Sequence, residues 1–122
     1  MTTAMQSYIL GAKAREQARQ EKLKQRQIHG IQIAKQAATM LRQEFGATRV
    51  VLFGSMLKQN IYENSDIDLA VWDIPKSKYF KAVGKLQGLS EFEIDLVEPE
   101  NAPIYIIEAI NQGIELWAVI TS

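Results

Sequence analysis

The stretch VVLFGSMLKQNIYENSDIDLAVW, Val50 to Trp72, decides how this chain folds. Thr48 to Phe53 (TRVVLF) is β-branched and apolar, too short and too well bounded for a helix, and reads as a strand. Asp66 to Trp72 (DIDLAVW) reads as a second strand, ended by Asp73 and Pro75. Gly54 and Ser55 form the turn that leaves the first strand. Side chains alternate along a strand, so Asp66 and Asp68 share one face while Ile67 turns into the core. Two carboxylates about 7 Å apart at the mouth of an apolar strand repel each other unless a cation lies between them.

On the N-terminal side, Tyr8 to Phe45 contains no proline and only Gly11 and Gly30 among good helix formers. Ile31, Ala34, Ala38, Leu41 and Phe45 recur at helical steps and predict a buried stripe, closed by Gly46. Ala12 to Gln27 offers only Ala14, Ala18 and Leu23, so residues 1–29 are expected to project as a helical arm or to order against a partner, with a break at Gly30. On the C-terminal side, Ser77 to Leu89 has helical spacing through Phe80, Val83 and Leu86. Glu91 to Val97 alternates as a third strand, with Phe92, Ile94 and Leu96 inward. A helix is expected after Pro103, and Ile114 to Ile120 is either a strand or a packed tail. The whole is an α/β (α+β) domain, residues 30–122, with a small mixed sheet covered by helices.

Composition narrows the function classes. The chain has 122 residues, 47% hydrophobic and 23% charged, at zero formal net charge, which fits one small core and leaves no room for a second substrate domain. It has no cysteine, so disulfides and thiolate metal sites are excluded. No run of about 18 apolar residues offers a membrane span and no signal peptide is evident, so a cytoplasmic protein is expected. The neutral total hides an asymmetry. Residues 1–27 carry six basic and two acidic side chains, a net +4, and the remainder carries −4. Such an arm fits an acidic partner, or is a solvated helix face.

Asp95 lies mid-strand among apolar neighbours, an expensive place for a charge that has no metal, donor or water to face. A lone DxD is a weak signal, an acid on an open strand face is ordinary, and a Gly-Ser turn often only starts a helix. Their conjunction carries more: a turn able to grip a phosphate oxygen, an acidic pair ten residues later, and a third acid on another strand. Hard divalent ions take oxygen ligands and sit between carboxylates and substrate phosphates. His29 has no metal or triad partner in the sequence. Trp72 and Trp117 read as packing residues, Tyr62 as a cover for the strand ends, and Ser65 as a turn organiser.

The pattern Gly54-Ser55, ten residues, Asp66-Ile67-Asp68, then Asp95 resembles the nucleotidyltransferase superfamily that includes DNA polymerase beta. In its short form it looks like the minimal nucleotidyltransferases encoded beside HEPN-domain proteins, over about Ile31 to Trp117. The resemblance implies a polymerase beta palm-like fold and transfer of a nucleoside monophosphate from an NTP to a hydroxyl. It also implies that Gly54 and Ser55 hold the outgoing phosphates, that Asp66, Asp68 and Asp95 bind two Mg²⁺ ions, and that Asp95 helps deprotonate the acceptor. Many members carry an arginine and then a glycine after the Gly-Ser; here stand Met56, Leu57, Lys58 and Gln59, which leaves Lys58 as the nearby cation for triphosphate.

The expected role is that of an antitoxin that moves AMP from ATP onto a tyrosine of a partner HEPN ribonuclease. Two rivals stand beside it. One is transfer to another acceptor: an aminoglycoside, drawn by Glu91, Glu93, Glu98 and Glu100, or a nucleic acid, for which only the arm offers a basic track. The other is an antitoxin that neutralises its toxin by binding alone. Direct nucleic-acid binding and membrane contact are not expected.

Overall fold

The computed structural model describes residues 3–59 and 61–117. Helix α1 spans Ala4–Phe45, followed by β1 (Arg49–Phe53), a single 3₁₀ turn (Ser55–Leu57), β2 (Ile67–Trp72) and α2 (Lys76–Gln87). Then come β3 (Ile94–Val97), a second 3₁₀ turn (Pro99–Asn101), α3 (Ile104–Asn111) and a two-residue strand β4 (Ile114–Glu115). The sheet order is β3-β2-β1-β4, with β2 and β3 parallel and both other pairings antiparallel. Helix α2 is the crossover that a parallel pair requires.

Strand alternation divides the core between the two faces. Val50, Leu52, Ile67, Leu69, Val71, Ile94 and Leu96 pack with α1 and α2 in one cluster, and Val51, Phe53 and Ala70 pack with Ile110 of α3 in the other. Helix α1 buries Ala34, Ala38, Leu41 and Phe45 as the sequence predicts, adds Ile33 and Ala37, and leaves Ile31 half-buried. Its start is fixed by a capping box: Thr3 Oγ1 accepts from the Gln6 N–H (3.1 Å) and Gln6 Oε1 accepts from the Thr3 N–H (2.9 Å). Gly46 ends it, its N–H bonded to the Leu41 carbonyl.

The expected break at Gly30 does not occur. The helix runs through this residue for 42 residues, and Gly30 is buried. Its role is close approach, since a Cβ there would stand 2.6 Å from the Met56 sulfur. Nor does the arm stand clear of the body up to residue 27. Leu23 is buried, and Arg19, Arg26 and Gln27 all reach the body. The N-terminal turns do expose Met5, Tyr8, Ile9 and Leu10.

Three further expectations are adjusted. In α2, Val83 and Leu86 face the core as expected and Ala82 joins them, but Phe80 is 83% exposed and Tyr79 takes its place. Tyr79 takes the inward place because its hydroxyl can donate to the Leu96 carbonyl at 2.7 Å, a partner that phenylalanine could not use. Strand β3 begins at Ile94 rather than Glu91, because Glu91 and Phe92 form a bend, although Phe92 is buried as predicted. Of the last apolar run, Ile114 and Glu115 pair with β1, the Leu116 N–H donates to the Val50 carbonyl at 2.8 Å, and residues 118–120 lie outside the described residues.

Gly84 lies on the exposed side of α2, with nothing within 4 Å of where a Cβ would stand. Gly84→Ala is therefore expected to stabilise the fold by about 0.5–1 kcal/mol, because alanine loses less backbone entropy in a helix. A thermal melt should move up by a few degrees, and a lower Tm would contradict the placement of α2.

Candidate active site

Strand register builds the site. Asp68 is the second residue of β2 and stands opposite Phe53 on β1 and Asp95 on β3. Ile67, Leu69, Ile94 and Leu96 point to the α1 and α2 face, so Asp68 and Asp95 emerge side by side on the opposite face. Asp66 precedes the strand by one residue instead of beginning it. Asp66 and Asp68 are half-buried, whereas Asp95 is exposed.

Burial, the charges of Asp95 and Asp66, and a hydrogen bond with Asp95 together push the Asp68 carboxyl up to about 6. Burial is the largest of these causes. A cation set beside these carboxylates would favour their ionised form. The donors are all carboxylate oxygens, the chemistry that suits Mg²⁺ or Mn²⁺. As the side chains stand, no three acidic or imidazole groups among the described residues close on a single metal position. Backbone register fixes Asp68 beside Asp95, and the exposed Asp95 side chain has room to turn.

The turn after β1 meets the same carboxylate. Gly54 has φ +83° and ψ −152°, a conformation essentially reserved to glycine. A Cβ at this position would also collide with Oδ2 of Asp68. Ser55 then opens the 3₁₀ turn, whose backbone closes through Leu57 N–H to Gly54 O (3.2 Å) and Lys58 N–H to Ser55 O (3.1 Å). Gly54, Ser55, Asp68 and Asp95 thus meet at one end of the sheet, with Asp66 close enough for its charge to act on Asp68. Lys58 is exposed and makes no ion pair among the described residues.

Ser65 is buried and organises the loop before Asp66, as read from the sequence: Tyr62 N–H donates to its Oγ at 2.8 Å and Ser65 N–H donates to Tyr62 O at 3.1 Å. Tyr62 itself is 62% exposed and does not cover the strand ends. His29 approaches Glu91 at 3.7 Å and packs edge-on against Phe92. Trp72 lies under Arg49 and Trp117 under Arg42. A large open cleft, about 980 Å³, runs between the arm and the loop at Gln59, Ile61 and Tyr62, and none of the three aspartates lines it. This cleft and the convergent carboxylates lie apart, and the candidate site is placed at the sheet end, because that is where acids come together beside a glycine turn.

Against this geometry, the family described as polymerase beta nucleotidyltransferase matches residues 35–118, and with them the Gly-Ser turn and all three aspartates. The chain belongs to this family. The nucleotidyltransferase resembles several solved structures. A mutant MntA-HepT toxin-antitoxin complex, with two aspartates two positions apart changed to glutamate, matches with 25% identity and a TM-score of 0.56, over 70% of this chain and 73% of that one. A toxin-antitoxin structure with AMP-PNP matches with 25% identity and a TM-score of 0.55 over the same shares. A minimal nucleotidyltransferase, at 24% identity and a TM-score of 0.52 over 78% of this chain and 92% of that one, supports the fold. A comparison with curated protein sequences finds no significant match. No helix among the described residues is long and apolar enough to cross a membrane.

Sequence reasoning missed the residues behind the site. Gln27 donates to the carbonyls of Met56 and Lys58, and Arg26 to that of Ser65. Nothing local marks them, because they sit in a helix rich in glutamine and arginine and their partners are 29 to 39 residues away.

Proposed function

We propose that this nucleotidyltransferase moves AMP from ATP onto a tyrosine hydroxyl of a partner HEPN ribonuclease and so acts as its antitoxin in the cytoplasm. The observation that carries the reading is the packing of Gly54 against Asp68, with Asp68 paired to Asp95 on the neighbouring strand. It supports a reading in which the turn grips phosphate beside an acid that takes a cation. The similar MntA-HepT complexes support the partner, and the AMP-PNP structure supports the nucleotide.

In this reading Asp66, Asp68 and Asp95 hold two Mg²⁺ ions, which when bound supply charge to the triphosphate and polarise the acceptor hydroxyl. The Gly54 and Ser55 turn orients the β- and γ-phosphates for in-line displacement, with Lys58 reaching toward them. Asp95, exposed at the rim, takes the hydroxyl proton as the acceptor oxygen bonds to the α-phosphorus. The bond from that phosphorus to the bridging oxygen breaks, and pyrophosphate leaves. The aspartates lie on an open sheet end, a setting suited to a protein acceptor, which brings its own walls. The N-terminal turns of α1, ahead of the body contact made by Arg19, serve as the docking element, with Lys13 and Arg15 facing an acidic partner surface.

A second reading, neutralisation by binding alone, is favoured by Met56, Leu57, Lys58 and Gln59 standing where many members carry an arginine and then a glycine after the Gly-Ser. Intact-mass measurement separates the two. The protein encoded beside this chain is incubated with it, ATP and Mg²⁺, in parallel with an Asp66→Ala, Asp68→Ala double variant. Adenylyl increments that vanish with the variant are expected. A complex without increments, with equal toxin inhibition by both proteins, would leave the binding reading.

A further inference from the structure

Each of the three chain segments that carry a site residue is held by the same short stretch of α1. The Nε2 of Gln27 donates to the carbonyls of Met56 (2.8 Å) and Lys58 (2.9 Å), two residues of the Gly54-Ser55 turn. Arg26 Nη2 donates to the carbonyl of Ser65 (3.1 Å), next to Asp66. The Arg26 guanidinium also lies 4.4 Å from the ring centre of Phe92, which is 2% exposed and three residues before Asp95. One helical turn on, Gly30 gives the Met56 side chain its place.

We propose that Gln27 is a positioning residue of the nucleotide site, setting the height and angle of the phosphate-gripping turn from behind. The inference rests on the functional reading above for its consequence in catalysis, and on hydrogen bonds alone for its effect on the turn. A carboxamide nitrogen carries two N–H groups, and here both are engaged, one on each side of Leu57. Among the described residues the turn is otherwise held by its own two backbone bonds of 3.1 and 3.2 Å, by burial of Met56, by Leu57 against the core and by the contact of Gly54 with Asp68. Without the amide, two carbonyls lose their donor and the turn is free to rock on β1. Phosphates bound by a backbone turn tolerate little of that, since small misplacements cost rate and affinity steeply. Arg26 does the same for the Asp66 loop with less leverage, because it makes one such bond instead of two.

The test uses the full chain and two readouts: amide hydrogen exchange of residues 54–59 without nucleotide, and binding of ATP with Mg²⁺. Gln27→Ala is expected to speed exchange across 54–59 and to weaken ATP binding by about tenfold. Gln27→Lys, which keeps a donor of similar reach, should return both to within about twofold of wild type. Gln20→Ala, whose amide bonds only Glu16 on the same helix among the described residues, should change neither. A general loss of stability would move exchange everywhere and would not be rescued by lysine. Unchanged exchange at 54–59 in Gln27→Ala, or a lysine variant as impaired as the alanine one, overturns the proposal. If wild type binds no ATP while Gln27→Ala still loosens 54–59, the nucleotidyl-transfer reading falls and the positioning role stands.

Discussion

Asp68→Asn is expected to reduce nucleotidyl transfer by about a thousandfold or more and, at the same time, to raise the melting temperature of the metal-free protein at pH 7.5. The two effects have one origin. In the folded chain the Asp68 carboxyl titrates near 6 instead of 3.8, because burial and the charges of Asp95 and Asp66 oppose its ionisation. The folded state therefore binds this proton more tightly than the unfolded state does. Its stabilising contribution is fully present below pH 3.8, declines as pH rises through 6, and is absent above. Asparagine keeps the shape that fits beside Gly54 and can still donate to Asp95, but carries no charge to be penalised. Melts of both proteins should diverge at pH 7.5 and converge at pH 4. Added Mg²⁺ should stabilise wild type, by occupying the site, and leave the variant where it was. Retained transfer would remove Asp68 from the chemistry. A variant no more stable than wild type at pH 7.5 would mean that the carboxylates do not burden the fold.

What the sequence made legible were features set by near neighbours. Strands β1 and β2 are apolar runs bounded by Gly46, Gly54 and Asp73, and their alternation alone turns Asp68 away from the face that Ile67 and Leu69 bury, while Asp66 falls one residue before the strand. Asp95 was legible for the same reason, since its flanking Ile94 and Leu96 had to point into the core. Misreadings came where a distant contact outweighed local preference. Gly30 looked like a helix break because glycine weakens helices, whereas its value is the space it yields to Met56, 26 positions further on. Phe80 looked like core because it stands at helical spacing from Val83 and Leu86, yet the Leu96 carbonyl gave Tyr79 the inward place. Gln27 had no local signal at all, being one of several glutamines on α1. Residues of the site announced themselves by charge in an apolar setting, while the residues that hold it in place look like any helix surface.

Gly54→Ala is expected to damage fold and site together, since it attacks both through one atom. The backbone at φ +83° and ψ −152° is open to glycine and strained for alanine by about 1–3 kcal/mol. The added methyl would also fall on Oδ2 of Asp68, a half-buried carboxylate that cannot swing toward Asp95 without meeting a like charge. The two costs act on the same residue pair, so relief of one aggravates the other: rotating the turn to spare Asp68 pulls Ser55 from its place, and holding the turn displaces the acid. A loss of about 2–4 kcal/mol, and a fall in Tm of about 10 °C or more, should accompany loss of transfer. Gly84→Ala on α2, chemically the same change, should shift Tm the other way. If Asp68 is the obstacle, Gly54→Ala combined with Asp68→Gly should recover much of the lost stability while remaining inactive, a coupling that a double-mutant cycle measures directly. Additive losses in that cycle would mean that strain at Gly54 is purely a backbone matter and that the turn and the acid are not built as one unit.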